Sequence, residues 1–206
     1  VFTLSLIFVG FAIYGITKTK AESNVFESFP ESSEIARSTA HIEQNLMGLL
    51  PMEIVVNAAN AGGVFQPEVL AEMEDLQDYL NEMPEVTKSI SVVDYVRNLN
   101  KLLNKDKPDN QMITRDKAID YVKLASLHGD NIVKSLYTED NNEGRVTVRM
   151  KNVGSSRYQE VVENIEGFIK ANFPLSIGCT ITGIVPLLMD MQGYLIESQI
   201  KTFTLA

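Results

Sequence analysis

Two short stretches limit what this chain can fold into more than any of its totals do. They are Leu80-Asn-Glu-Met-Pro-Glu-Val86 and Ile169-Lys-Ala-Asn-Phe-Pro-Leu175, whose prolines stand 90 positions apart. Each closes an amphipathic helical pattern on an apolar residue and a proline, then runs into an extended pattern. Proline cannot continue a helix, and it pushes the residue before it towards extended backbone. Both stretches therefore read as helix-to-strand junctions, and the chain carries the same junction twice.

The flanking residues complete each unit. Met52-Glu-Ile-Val-Val-Asn57 is β-branched and bounded by Pro51 and by the turn residues Asn60-Ala-Gly-Gly63, which predicts a strand. Pro67 and Glu68 suit the first turn of a helix, and Val69, Met73, Leu76, Leu80 and Met83 recur at helical spacing. A second strand is expected over Val86–Val93. In the later unit, Arg145-Val-Thr-Val-Arg-Met150 alternates polar and apolar residues, as a half-buried strand does. Ser156-Arg-Tyr-Gln159 fits a capping box. The helix after it places Tyr158, Val161, Val162, Ile165, Phe168 and Ile169 on one face, and the last strand, Ser176–Thr182, alternates Ile177, Cys179 and Ile181.

Between the units, residues 94–140 read as a helical insertion. Asp94–Leu103 and Arg115–Ala125 are helical in period, with Ala118, Ile119 and Val122 facing inward, and residues 104–110 form a polar loop. Tandem βαβ units of this kind pack as a split sandwich, with helices on one face of a four-stranded sheet. The expected fold is α+β: two tandem βαβ units forming a ferredoxin-like split sandwich with a helical insertion.

The ends of the sequence are different in kind. Val1–Ile16 holds no charged residue and no proline, and the first charge is Lys18. A spanning helix needs about 20 apolar residues, so the run is expected to be the C-terminal part of a transmembrane helix, residues 1–17. A signal peptide would want a basic n-region and a small-residue cleavage site, and Lys18-Thr-Lys-Ala-Glu-Ser supplies neither. Residues 18–47 are a polar linker and a helix whose thin apolar stripe is Ile35, Ile42 and Leu46, closed by Gly48. The body spans 48–185. Gly183 permits a sharp change of direction and Pro186 suits a helix start, so 186–206 is expected to be an amphipathic helix leading into the next membrane helix. Leu187, Leu188, Met191, Leu195 and Ile196 form its apolar side.

Composition excludes several functions. The chain carries 18 Lys and Arg against 27 Asp and Glu, a net charge of −9, with the basic residues scattered. That balance disfavours nucleic acid as a partner. Cys179 is the single cysteine and reads as a buried thiol in a strand. His41 is followed by Ile-Glu, not by the spacing of a zinc protease, and His128 has no second ligand near it. Glu68, Glu72, Glu74, Asp75 and Asp78 fall on the polar side of one helix and read as a solvated face. No nucleophile elbow, phosphate loop or dinucleotide fingerprint occurs. The sequence thus assigns no catalytic, metal or cofactor-binding residue, no substrate-binding residue and no cofactor, and the chain is not expected to be an enzyme.

Taken in order, Val1–Ile16, Gly48-Leu-Leu-Pro-Met-Glu-Ile-Val55, Pro67-Glu-Val-Leu-Ala-Glu-Met73, Val86–Asn100 and the exit from Thr182-Gly-Ile-Val-Pro-Leu187 to Gln199-Ile200 form a pattern. It resembles the first extracytoplasmic loop of the resistance-nodulation-division (RND) superfamily, in its MMPL-like, hydrophobe-exporter branch. The resemblance runs nearly end to end. It implies a proton-driven exporter of lipids or other hydrophobic molecules in the cell (inner) membrane, with this body in the periplasm as a porter domain. The partners it implies are the lipid bilayer, a hydrophobic or lipid-like substrate and the second half of the same transporter, and it leaves room for a homo-oligomer. The proton-relay acids of that family lie in membrane helices outside this chain, so none is carried over. The competing expectation is a membrane-tethered extracytoplasmic sensor or ligand-binding module.

Overall fold

A computed structural model describes residues 29–30, 32–45, 48–104, 113–127 and 131–205. Val1–Ile16, most of the linker, the polar loop before Arg115 and His128 lie outside the described residues.

The fold is α+β. Among the described residues a four-stranded sheet is built from β1 (Leu50–Asn57), β2 (Val86–Ile90), β3 (Glu143–Met150) and β4 (Gly178–Gly183). The helices are α1 (Glu34–Asn45), α2 (Pro67–Glu82), α3 (Val92–Leu103), α4 (Arg115–Leu127), α5 (Asn131–Lys134), α6 (Ser155–Asn172) and α7 (Ile184–Leu205). The strand order is β2-β3-β1-β4, and every neighbouring pair is antiparallel. Consequently β1 and β2, joined through α2, run parallel but are separated by β3. Likewise β3 and β4, joined through α6, are separated by β1. The two expected βαβ units are present and interleaved.

Alternation along the central strands explains the layers. Met52, Ile54 and Val56 of β1 and Val146, Val148 and Met150 of β3 are fully buried on one face. Helices α2 and α6 cover that face with Val69, Met73, Leu76 and Leu80 from one and Tyr158, Val161 and Ile165 from the other. Where the two helices meet, Tyr79 stacks on Phe168 with ring centroids 4.2 Å apart. Full burial of side chains of this size stabilises by about 1.5–3 kcal/mol each. The insertion extends the same core, since Val92, Val93 and Val96 of α3 and Ala118, Tyr121 and Val122 of α4 are buried. The Tyr121 hydroxyl donates to Asn100 Oδ1 (3.2 Å) and accepts from Asn104 Nδ2 (3.0 Å), which ties α4 to the end of α3.

Two local expectations need correction. The strand expected over Val86–Val93 stops at Ile90, because Ser91 caps α3 instead of continuing β2. Its side chain accepts from Val93 N (3.0 Å), and Asp94 reaches back to Ser91 N (2.8 Å). Gln77, buried in α2, locks this turn: it accepts from Ser91 Oγ (2.6 Å) and donates to Asp94 (3.0 Å). The capping box expected at Ser156–Gln159 does not form. Helix α6 starts earlier, at Ser155 after the N-cap Gly154, and that cap makes no side-chain hydrogen bond. The Tyr158 hydroxyl fixes the entry instead, accepting from Val153 N (2.9 Å) and donating to Lys151 O (3.0 Å). Of the stripe named on α1, Ile35 is 52% and Ile42 37% exposed, and Leu46 lies outside the described residues. Helix α1 touches the body through Glu43, which accepts from Asn152 N at 2.5 Å.

The two serines give a paired test. Ser91→Ala should lower stability by about 1–3 kcal/mol, since it removes a cap and strands buried Gln77. Ser156→Ala should stay within about 0.5 kcal/mol of the parent. Urea midpoints at constant m-value read both, and equal effects would mean that the capping assignment is wrong.

Candidate functional site

The one cysteine named by the sequence is placed where thiolate chemistry is suppressed. Cys179 lies on β4 opposite Val56, on the helix-covered face of the sheet, and is half-buried. Burial, with a contribution from the Glu72 carboxylate, pushes its thiol up to about 11. Glu72 itself is raised from the usual carboxylate range, first by burial and then by Asp75 beside it. A carboxylate facing a thiol is the opposite of the electropositive setting that makes a thiolate. The remaining acids of α2 behave as a polar face: Glu68, Asp75 and Asp78 are exposed, and Glu74 pairs with Arg97 of α3. His41 is exposed on α1. Among the described residues no cluster of three or more His, Cys, Asp or Glu side chains forms a metal cage.

The face of the sheet away from the helices is polar. Glu53 on β1 accepts from Thr147 Oγ1 (2.7 Å) and lies 3.4 Å from Arg145 Nε, both on β3. Arg145 also donates to Ser135 Oγ (3.1 Å). Its Nε has no hydrogen bond despite the carboxylate nearby, so that contact is an ion pair without hydrogen-bond geometry. Thr180 and Thr182 extend the polar surface onto β4.

The surface that is not polar is α7, and one glycine creates it. Gly183 ends β4 at φ +104, and a Cβ there would stand 3.2 Å from Glu53 N and Pro51 O. Only glycine meets both the left-handed backbone and the close approach to β1. The chain turns there into α7, whose first two turns are anchored: Val185 is fully buried, and Leu188 and Met189 pack against the core. Beyond them the helix leaves the body. Leu187 (58%), Met191 (53%), Tyr194 (73%) and Leu195 (61%) are exposed at i, i+4, i+7 and i+8, along one side of the helix. Asp190 and Glu197 occupy the neighbouring side, and Glu197 pairs with Lys201 at 2.6 Å. Between α7 and the start of α6 lies an open crevice of about 330 Å³ lined by Ser155, Gln159, Met189, Gln192 and Ile196. No helix among the described residues is long and apolar enough to cross a membrane. What α7 offers chemically is a row of large apolar side chains, each worth about 1–2 kcal/mol on removal of its exposed part from water.

A scan against protein-family models finds no match to this chain, and a search of the curated proteins finds none either.

The sequence pattern located α7, its glycine turn and most of its apolar residues. It missed Tyr194, although its place seven residues after Leu187 fits the same helical period. It also missed the electrostatic influence of Glu72 on Cys179, which lie on separate elements, α2 and β4.

The thiol provides a direct check. At pH 8 a group titrating near 11 is about one part in a thousand thiolate, against about a quarter for an ordinary cysteine. Iodoacetamide should therefore alkylate Cys179 roughly a hundredfold more slowly in the folded chain than in urea. The same shift stabilises the fold below the thiol's ordinary range, and that contribution is lost as pH rises towards 11. Equal alkylation rates in the folded and unfolded chains would contradict the burial.

Proposed function

We propose that this chain is the extracytoplasmic porter segment of a proton-driven, RND/MMPL-like exporter of lipids or other hydrophobic molecules, set in the cell (inner) membrane. On this reading the body is a ferredoxin-like split sandwich. The strand order β2-β3-β1-β4 and the two interleaved crossovers support that description. The observation that carries the functional reading is the departure of α7 from the body with Leu187, Met191, Tyr194 and Leu195 exposed. An amphipathic helix of this kind rests on or enters an apolar phase. The body then moves as a unit above the bilayer, with Gly183 as the fixed bend between sheet and helix. Its polar open sheet face suits contact with water or with the second half of the transporter.

Labelling tests the location. In a Cys179→Ser background, Asp140→Cys places a thiol on an exposed turn. A membrane-impermeant maleimide should label it in intact spheroplasts, and labelling only after lysis would overturn the proposal. Transport is tested separately, in cells carrying the intact gene. Efflux of a hydrophobic dye should stop when a protonophore collapses the proton gradient. Correct labelling without such efflux would favour the tethered sensor.

A further inference from the structure

At the end of the sheet away from α7's anchor, three separate parts of the chain enclose a half-open crevice of about 400 Å³. Small-ligand pockets commonly measure about 300–1,000 Å³. Its floor is apolar: Phe65 and Val122 are buried, and Phe65 meets the Tyr137 ring edge-on with centroids 5.2 Å apart. Its rim carries two ammonium groups, Lys123 on α4 and Lys134 on α5, and one carboxylate, Glu139. Neither lysine has a carboxylate within salt-bridge distance among the described residues. Two ammonium groups against one carboxylate give this crevice a net positive lining in a chain of net charge −9.

The crevice is also firmly built. Val64 N donates to Asn141 O (2.8 Å) and Ala58 N to Asn142 O (2.8 Å), which fastens the loop carrying Phe65 to the turn carrying Glu139. Asn141 sits at φ 59, and Gly63, at φ +104, lies so close that a Cβ there would be 3.0 Å from Asn141 O. On α4, Val122 is buried while its neighbour Lys123 is exposed, so the helix supplies floor and rim side by side.

We infer that this crevice between the helical insertion and the sheet binds a small amphiphilic anion, its aromatic or aliphatic body on Ile119 and Tyr137 and its charged end between Lys123 and Lys134. The site is independent of the contact that α7 makes with an apolar phase. Glu139 opposes the anion and limits affinity, so its neutralisation should tighten binding.

The chain contains no tryptophan, so the emission of a naphthalene probe is read against a low background. Titration of the full chain with 1-naphthoate should give saturable binding that weakens as salt is raised. The cationic analogue 1-naphthylmethylamine should give none. Lys123→Ala and Lys134→Ala should each weaken naphthoate about threefold, as an exposed ion pair allows. The double variant should weaken it further, and Glu139→Gln should strengthen it. Circular dichroism confirms the fold of each variant, and all three positions are exposed. The inference is overturned if naphthoate fails to saturate at millimolar concentration, if the amine binds equally, or if the double lysine variant binds like the parent. A Glu139→Gln variant that weakens binding would overturn it as well. Failure here would leave the labelling and efflux results untouched.

Discussion

The pairing of β1 with β3 is the contact on which the rest depends. It runs from Leu50 opposite Met150 to Asn57 opposite Glu143, and joins the first strand of one βαβ unit to the first strand of the other. The strands returning from α2 and α6 then have only the outer positions left, β2 beside β3 and β4 beside β1. Neither unit is a complete sheet alone. One face of the ladder is the apolar bed for α2 and α6; the other holds Glu53, Arg145 and Thr147 in a polar cluster. Because side chains alternate along a strand, slipping the register by one residue would exchange these faces, burying charge and exposing Met52, Ile54 and Val56. The ladder therefore specifies the fold as well as stabilising it.

The outer strands inherit unequal circumstances. Strand β2 carries Lys88 and an irregularity between Val86 and Lys88, both of which discourage a further strand from pairing with it. Beyond β2 the chain turns at once into α3, held by Ser91, Asp94 and Gln77. Strand β4 is uncharged and leads through Gly183 into α7. The body is thus closed on the side of the insertion and continues into a helix on the side of β4.

Much of this was legible in the sequence, for reasons that can be named. Alternation in Arg145–Met150 and helical spacing in Val69–Met83 are imposed by burial on one face, so they survive as patterns. The interleaved order was less legible, because the duplicated proline junctions indicate similar units without saying which strands become neighbours. Ser91 and Ser156 show the limit of local codes. Each is followed three residues later by Asp or Gln, yet only Ser91 caps a helix, because Gln77 from α2 and the burial of Val92 and Val93 fix it there. The crevice at Phe65 and Tyr137 left no pattern, as its residues are brought together from three separate parts of the chain. On α7 the glycine and the apolar row were readable, because the bend and the exposed face are both local properties.

The functional account rests on that apolar row facing a non-aqueous phase. Single-cysteine spin labels in a Cys179→Ser background, with the protein reconstituted into lipid bilayers, test it most directly by their collision rates with oxygen and with a water-soluble nickel chelate. The account predicts that labels replacing Leu187, Met191 and Leu195 favour oxygen, while labels replacing Asp190 and Glu197 favour the chelate, with the helical period between them. Equal access of the chelate to all five positions would mean that α7 lies in water, and would contradict the account.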